Sequence, residues 1–480
     1  MDIWGLRSAT ELAASIRNRE LSSVELFDHL LGRIEHLNPE VNAVVTIDAD
    51  RARTEARRLD DLLVRDGPVG PLHGLPITVK DTLETAGLRT TAGAEELAEH
   101  VPATDAAAVE LARAAGVFVF GKTNTPPYAD DHQTYNSLFG TTNNPWDPTR
   151  TPGGSSGGSA VAVALGFTSF EIGSDIANSI RSPASHCGVF GHKPTYGRVP
   201  YRGHIPPGPR AVGDPDLAVV GPLARSADDL ALVLEAISQP NARSTHPTVI
   251  EPRATSLDAY RLAAWFDDER YPVAPAVRDT LESATEELRR AGAKVDDQAR
   301  PAFSMTEARE VFNALLVAVT TARLNEEEKE QLRAQRDDPG PLGRFARNAT
   351  MTREEWLGYD LRRQELRARW DEFFQEFDAL LCPCNPLPPI PHDQPEERTL
   401  DRKVTIDGVA YRYFDQSVWA GVSGVAYLPG TAAPAGRTRD GLPVGVEIVG
   451  PFLEDVTCID IARHVERVLG GFEPPPMALL

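Results

Sequence analysis

The spacing of apolar and polar residues predicts two leading helices followed by an alternation of strands and helices. Two capping boxes, Ser8-Ala-Thr-Glu11 and Ser22-Ser-Val-Glu25, each precede a helical pattern, and the second pattern runs to about residue 36. Short β-rich apolar runs follow, interleaved with the helical stretch ATDAAAVELARAAG: NAVVTID, PITVKD, GVFVFGKTN and FTSFEIGSD. This alternation predicts an α/β protein in which helices cover a sheet.

The pattern becomes largely helical and charged between about residues 255 and 380, as in TREEWLGYDLRRQELRARWDEFFQEF. Strand signals thin out there, so we expect an outer helical layer or insert. A single α/β enzyme domain can have this length, and we expect one domain over residues 1–480. Two Pro- and Gly-rich stretches, YRGHIPPGPRAVGDPD and CPCNPLPPIPHDQPEE, are typical of long ordered loops that rim a pocket.

Composition limits the partners of the chain. Its 70 acidic and 49 basic residues give a net charge of −21, which repels phosphate backbones and anionic lipid surfaces. No stretch reaches the ~18 uncharged apolar residues of a membrane span, and the first residues lack a signal-peptide pattern. We therefore expect a cytoplasmic protein with no nucleic acid or membrane partner. No His, Cys and Asp cluster has metal-ligand spacing, so we predict no metal and no cofactor.

The most biased segment is TPGGSSGGSAVAVALG, residues 151–166. It lacks the lysine of a phosphate-binding loop. Residues 153–157, Gly-Gly-Ser-Ser-Gly, formally match the nucleophile elbow of α/β-hydrolases, but an elbow follows a strand and here the Pro- and Asn-rich stretch NNPWDPTR precedes it. A flexible linker is the plain alternative, although the run leads directly into an apolar helical pattern, where backbone N–H groups converge.

A second serine cluster, EIGSDIANSIRSPASHCG, occupies residues 171–188 and begins at the end of an apparent strand. Asp175 and Arg181 lie on either side of Ser179, so an ion pair between them would brace the turn that presents this hydroxyl. An ordinary strand-to-helix turn is the alternative. A third feature is Lys80, which ends the apolar run PITVK in a chain with only six lysines.

Together, Lys80, the Gly/Ser loop and Ser179, 24 residues after Ser155, resemble the amidase signature family, which includes bacterial amidases, cyclic-dimer and urethane-type amidases and fatty acid amide hydrolase. The matching segments are LPITVKD, GKTNTP, NPWDPTRTPGGSSGGSA, GSDIANSIRSPA, CGVFGHKPTYGRVP and GLPVGVEIVGP. They cover about residues 70–235 and 425–465. The resemblance implies a three-layer α/β/α fold with a mixed central β-sheet and amide hydrolysis through a Ser–cis-Ser–Lys triad.

By position in these motifs, the resemblance makes Ser179 the nucleophile and Lys80 the base. Ser155, on a cis peptide bond after Gly154, would relay the proton between them. The residue types suit the roles, because a serine hydroxyl needs an adjacent base, arginine does not deprotonate in proteins, and desolvation readily lowers the pKa of a lysine. The scheme requires none of the histidines near the motifs, which we expect to be structural: His73, His132, His186 and His192.

The resemblance also places an oxyanion hole in the backbone N–H groups of the nucleophile turn: Ile176, Ala177, Asn178 and Ser179. The family usually has Gly-Gly before the nucleophile, where this chain has Ala177-Asn178. Alanine tolerates a positive φ poorly, whereas asparagine adopts the left-handed region more easily. Two outcomes stay open: a hole of modified shape, with a possible contact from the Asn178 side chain to substrate, or an impaired hole.

The segment TPPYADDHQTYNS corresponds to residues that line the acyl pocket in the family, and its substrate-contact candidates are Tyr128, Ala129, Asp130 and Tyr135. Simple packing of the tyrosines is the alternative. We expect a monomeric or homodimeric hydrolase that cleaves an uncharged small-molecule amide, anilide or carbamate through an acyl-enzyme. The alternatives are an A-type glutaminase subunit of a tRNA-dependent amidotransferase, although the glutamate expected near Pro127 is missing, and a catalytically impaired relic.

Overall fold

The computed structural model describes residues 4–208, 213–238, 251–395 and 400–480. The strands within these ranges are β1 Val44–Ile47, β2 Pro76–Lys80, β3 Phe118–Thr123, β4 Tyr135–Asn136, β5 Gly140–Thr141, β6 Glu171–Asp175, β7 Phe190–Lys193, β8 Val219–Ala224, β9 Arg261–Ala264, β10 Lys294–Asp296, β11 Ala379–Pro383, β12 Lys403–Ile406, β13 Val409–Arg412, β14 Gly430–Arg437 and β15 Pro443–Val449. The α-helices are α1 Ala9–Arg17, α2 Ser23–Val41, α3 Ala49–Arg65, α4 Ala107–Ala114, α5 Gly157–Ala164, α6 Arg181–Cys187, α7 Ala227–Ile237, α8 Pro275–Arg290, α9 Met305–Thr320, α10 Glu326–Arg333, α11 Pro341–Ala349, α12 Arg353–Glu376, α13 Val418–Gly424 and α14 Asp455–Leu469.

The central layer is a large mixed sheet. Its eight strands in the described ranges have the order β10-β9-β11-β15-β14-β7-β8-β6. The pairs β10–β9 and β9–β11 are parallel, and the other pairs are antiparallel. Helices α7, α8 and α14 form one group against this sheet, and α5 and α6 form another. The predicted α/β/α fold with a mixed central sheet is therefore confirmed.

The local patterns at the start of the chain are also confirmed. Both capping boxes are present, with the Ser8 and Ser22 side chains accepting from the backbone N–H of Glu11 and Glu25 at the first turns of α1 and α2. The apolar runs form β1, β2, β3 and β6. Strands β2, β3 and β6 are buried along their whole length, which explains why β2 and the first half of β3 lack the alternation of apolar and polar residues of a half-exposed strand.

The region between residues 255 and 380 is mostly helical, as the pattern indicates, but it also supplies strands β9, β10 and β11 to the large sheet. These strands extend the sheet beyond β15 and form one of its edges. They have only three to five residues, and such short apolar runs as β9 and β11 cannot be distinguished from buried helix segments, while β10 is largely exposed. The region therefore combines an edge of the sheet with the helices α9 to α12.

A smaller sheet, in the order β1-β3-β2, lies beside the large one. Strand β2 approaches β6: the Ser169 N–H donates to the Pro76 carbonyl oxygen at 3.3 Å, and the Thr78 hydroxyl donates to Glu171 at 2.5 Å. This junction brings the end of β2, at Lys80, beside β6. The described helices include none with the combination of length and apolar character that a membrane crossing requires.

Candidate active site

Lys80 occupies the last position of β2, and its side chain is fully buried. Its Nζ lies 2.7 Å from Ser155 Oγ and 3.0 Å from Ser174 Oγ. Burial lowers the pKa of Lys80 from 10.5 to about 7, against the opposing effect of the Asp175 and Glu171 carboxylates. At neutral pH, Lys80 is therefore an uncharged amine in a large fraction of the molecules.

Ser155 follows a cis peptide bond after Gly154. A side chain at Gly154 has no room, because an added Cβ would lie 2.6 Å from the Asp131 carbonyl oxygen and 2.7 Å from the Gln133 nitrogen. The next residue begins the approach to α5, which matches the predicted apolar helix. The family resemblance predicts both the cis bond and the contact between Lys80 and Ser155, and both are confirmed.

Ser179 lies in the turn between β6 and α6 and is 7% exposed. Its carbonyl oxygen accepts from the Ser156 N–H at 3.1 Å, which ties the nucleophile turn to the Gly/Ser loop. Among the residues that the structure describes, none forms a hydrogen bond with the Ser179 hydroxyl. Ser155 and Ser179 thus lie on two adjoining loops, and the hydroxyl of Ser179 is free to rotate.

The Asp175 carboxylate organises this turn. It accepts from the backbone N–H groups of Asn178 and Ile180, each at 3.0 Å, and pairs with the Arg181 guanidinium at 2.8 Å, both side chains being fully buried. Burial alone would raise the pKa of Asp175, but the charge and hydrogen bonds of Arg181 hold that pKa well below its ordinary value. The predicted ion pair around the Ser179 turn is therefore present.

The same hydrogen bonds reduce the number of N–H groups that are available to the predicted oxyanion hole. The Asn178 N–H is already bonded to Asp175, and the Asn178 side chain donates to the Cys384 carbonyl oxygen at 2.7 Å. Asn178 is fully buried with a φ of 92°, so it takes the left-handed conformation for which asparagine is suited. Of the four predicted donors, the N–H groups of Ile176, Ala177 and Ser179 have no acceptor among the described residues.

The substrate-contact candidates lie on the segment that packs against Gly154. Tyr128 and Ala129 have φ values of 54° and 59°, which non-glycine residues rarely adopt in succession. The Tyr128 hydroxyl donates to Glu96, and the Arg323 guanidinium lies 4.3 Å from the centre of its ring. The other two candidates, Asp130 and Tyr135, follow on the same segment, Asp130 exposed and Tyr135 half-buried with its hydroxyl 3.4 Å from Asp131.

Two residues beside the amine were not among the sequence candidates. Ser174 Oγ lies within hydrogen-bond distance of Lys80, and His204 Nε2 lies 2.8 Å from Ser174 Oγ. Ser174 sits inside a uniformly buried strand, so its periodicity does not distinguish it. His204 belongs to the stretch YRGHIPPGPR, which predicts only a loop, and no local pattern links a histidine there to a lysine on β2.

The α/β/α fold and the buried lysine beside Ser155 are those of an amidohydrolase, an enzyme acting on C–N bonds other than peptide bonds. A family model described as Amidase matches residues 25–459, and the chain belongs to this family, the amidase signature enzymes. The glutamyl-tRNA(Gln) amidotransferase A-subunit of Anaeromyxobacter sp. (strain K) is 33% identical over 502 residues, which cover 98% of this chain and 97% of that protein.

Solved structures of amide hydrolases share the whole fold. A bacterial aryl acylamidase of the amidase signature family is 25% identical, with a TM-score of 0.81 and coverage of 96% of each chain. A 6-aminohexanoate cyclic dimer hydrolase, solved in complex with its substrate, is 26% identical, with a TM-score of 0.78 and coverage of 100% of both chains. Relatives with different named activities thus share this fold, and the substrate has to be argued from the site.

Proposed function

We propose that this chain is a single-domain amidohydrolase that cleaves a linear amide, anilide or carbamate C–N bond through a serine acyl-enzyme. The observation that carries the proposal is the fully buried Lys80 amine, 2.7 Å from Ser155 Oγ. No carboxylate in the described ranges forms an ion pair with this lysine. Such an amine, with a pKa of about 7, has the proton affinity that a general base needs at neutral pH.

In this mechanism Ser155 passes a proton between the base and the nucleophile. As the Ser179 hydroxyl turns toward Ser155, its proton moves to Ser155 while the proton of Ser155 moves to Lys80 Nζ. In free enzymes, catalytic hydrogen bonds are often long or absent and form fully only when substrate binds. The lack of a hydrogen bond at the Ser179 hydroxyl is therefore consistent with this mechanism. The Ser179 oxygen then attacks the carbonyl carbon of the substrate, and the carbonyl oxygen gains the negative charge.

Collapse of this intermediate breaks the C–N bond. The proton held on Lys80 returns through Ser155 to the leaving nitrogen, and a water molecule then hydrolyses the acyl-enzyme by the same route in reverse. The N–H groups of Ile176, Ala177 and Ser179 are the proposed donors to the oxyanion, and removal of one good donor from such a hole commonly costs ~3–4 kcal/mol. The Asn178 N–H stabilises the turn through Asp175 instead.

The segment between residues 128 and 135 supplies the proposed substrate contacts. The proposal is supported by the packing of Asp131 and Gln133, within this segment, against Gly154, the residue before the relay serine. Tyr128 contacts Glu96 and Arg323. The ring of Tyr128 offers an apolar surface, which suits an uncharged acyl or aryl group. We therefore propose small neutral amides and carbamates as substrates, with Tyr128, Ala129, Asp130 and Tyr135 lining the pocket.

The second candidate is a glutaminase subunit that supplies ammonia to a partner. The amidotransferase relatives favour it, because they match nearly the full length of this chain. Residues 124–131, NTPPYADD, weigh against it, since they lack the glutamate that the resemblance predicts for such a protein. The intact contact between Lys80 and Ser155 weighs against a catalytically impaired relic.

The test is a panel of neutral aryl amides, anilides and carbamates, together with glutamine, assayed with the protein purified alone. We expect turnover of the aryl substrates and a loss of at least about 10⁴-fold in Ser179→Ala. Ser185→Ala is the matched control, because Ser185 is a buried serine of α6 whose hydroxyl accepts from the Gly445 N–H at 2.8 Å and forms no other hydrogen bond within the described ranges. This control should keep its activity.

Each other outcome contradicts the proposal in a different way. Turnover of glutamine without turnover of aryl substrates would favour the role in an amidotransferase. If the folded protein turns over nothing and resists a fluorophosphonate probe, the relic is favoured. Full activity of Ser179→Ala would show that another residue is the nucleophile.

A further inference from the structure

The buried amine has a second polar neighbour on the side away from the relay serine. His204 is 1% exposed, and its Nε2 lies 2.8 Å from Ser174 Oγ, which in turn lies 3.0 Å from Lys80 Nζ. Its Nδ1 lies 3.1 Å from the Pro206 carbonyl oxygen. A continuous hydrogen-bonded chain therefore runs from a backbone carbonyl through a histidine and a serine to the proposed base, and the mechanism above assigns no role to it.

The partners of His204 determine where its proton sits. A carbonyl oxygen can only accept, so Nδ1 carries the hydrogen and donates to Pro206. In the neutral ring Nε2 then has a lone pair and must accept, and the hydrogen it accepts is that of the Ser174 hydroxyl. Burial, together with the charge of Lys80, lowers the pKa of His204 to about 3, so the ring remains neutral at physiological pH.

This tautomer sets the direction of the remaining bonds. With its only hydrogen directed at His204, Ser174 can accept from Lys80 but cannot donate to it. A neutral amine has one lone pair, and the lone pair is therefore left for the hydroxyl hydrogen of Ser155. We propose that His204 is a positioning residue: acting through Ser174, it aims the lone pair of Lys80 at the relay serine. The inference rests on the proposed function, in which this lysine is the base.

Backbone pairing holds the histidine in place. The Ile205 N–H donates to the Thr82 carbonyl oxygen at 2.7 Å, and the Glu84 N–H donates to the Gly203 carbonyl oxygen at 2.9 Å. The segment that carries His204 is thus paired with the residues that directly follow Lys80 in the chain. The Tyr201 ring packs on the imidazole, with 4.4 Å between ring centres. These contacts fix the ring relative to the end of β2, as positioning requires.

Other charges surround the chain of hydrogen bonds without joining it. Asp175 and Glu171 act on the pKa of Lys80 through space, and Lys122 acts in the same way on His204. Among the described residues, the Ser174 hydroxyl forms hydrogen bonds only with Lys80 and His204. Its orientation therefore depends on the histidine.

Two substitutions of His204 separate the roles of its two nitrogens. Glutamine places its amide oxygen near the position of Nε2 and can still accept from Ser174, whereas asparagine reaches only the position of Nδ1. We expect His204→Gln to keep kcat within about 3-fold of wild type, and His204→Asn to lower kcat about 10- to 100-fold with little change in KM. A merely structural histidine would not distinguish the two amides in this order.

The pH profile of kcat/KM gives a second readout. In His204→Asn the Ser174 hydroxyl becomes free to donate to the lone pair of Lys80, which stabilises the amine while diverting it from Ser155. The plateau should therefore fall while the acidic limb stays in place or moves to lower pH. A limb that moves to higher pH would mean that water has reached the amine, and it would overturn the inference.

Coupling through Ser174 is tested by a double-mutant cycle. Because His204 acts through that hydroxyl, adding His204→Asn to Ser174→Ala should change kcat by less than about 3-fold. Fully additive losses would overturn the proposal. If His204→Asn does not fold, as judged by thermal unfolding, His204→Gln decides: a native unfolding curve with a loss of about 100-fold in kcat would contradict the inference.

Ser179→Ala keeps the two proposals separable. Activity in that variant would defeat the proposed function itself. An inactive Ser179→Ala together with a fully active His204→Asn would leave the proposed function standing and defeat only the role of the histidine.

Discussion

Lowering the pH should switch the enzyme off by protonating Lys80. The fall of its pKa from 10.5 to about 7 means that the site as a whole, burial less the opposing effect of Asp175 and Glu171, disfavours the ammonium form by about 5 kcal/mol. In the proposed mechanism the amine is the form that accepts a proton from Ser155, so kcat/KM should follow the amine fraction of the free enzyme. That fraction falls tenfold for each pH unit below the pKa, which predicts a loss of about 100-fold between the plateau and about pH 5.

The assay is the initial rate of hydrolysis of a neutral anilide from about pH 5 to about pH 9, because such a substrate does not titrate in this range. Glu171 needs a control, since burial raises its pKa to about 7 as well and it lies close enough to affect Lys80. We expect Glu171→Gln to keep an acidic limb of the same steepness. A flat profile in wild type, or a limb that disappears in Glu171→Gln, would refute the assignment of the base.

Two further substitutions test the framework of the site. Arg181→Met leaves the fully buried carboxylates of Asp175 and Glu447 without their cation, and it should lower the free energy of unfolding in urea by about 3–5 kcal/mol. The control Arg58→Met removes the exposed ion pair with Glu55 and should lower it by less than about 1 kcal/mol. Gly154→Ala puts a Cβ 2.6 Å from the Asp131 carbonyl oxygen, so it should lower both kcat and the melting temperature, while Gly358→Ala, with open space around it, should lower neither. Equal effects within either pair would contradict the packing described.

Much of the framework could be predicted from local sequence. The capping boxes, the buried strands β2, β3 and β6, and the turn braced by Asp175 and Arg181 depend on neighbouring residues, whose spacing is visible in the chain. The contact between Lys80 and Ser155 joins distant residues, and it could be predicted because the family motif carries both positions. Short edge strands such as β10 carry too few apolar residues to be recognised.

What escaped prediction depends on tertiary contacts. The engagement of the Asn178 N–H by Asp175 arises from the path of one turn, which the residue types alone do not specify. Lys80, Ser174 and His204 lie on two strands and a loop that come into contact only in the folded chain. A histidine in a Pro-rich loop has no local signature of this role.

The most direct test of the central claim is to locate the covalent adduct that a fluorophosphonate probe leaves on the protein. Peptide mapping should find the adduct on Ser179 alone, and Lys80→Met, whose unbranched side chain is one atom shorter and lacks the amine, should react at least about 100-fold more slowly. An adduct on another serine, or equal labelling rates for wild type and Lys80→Met, would contradict the account.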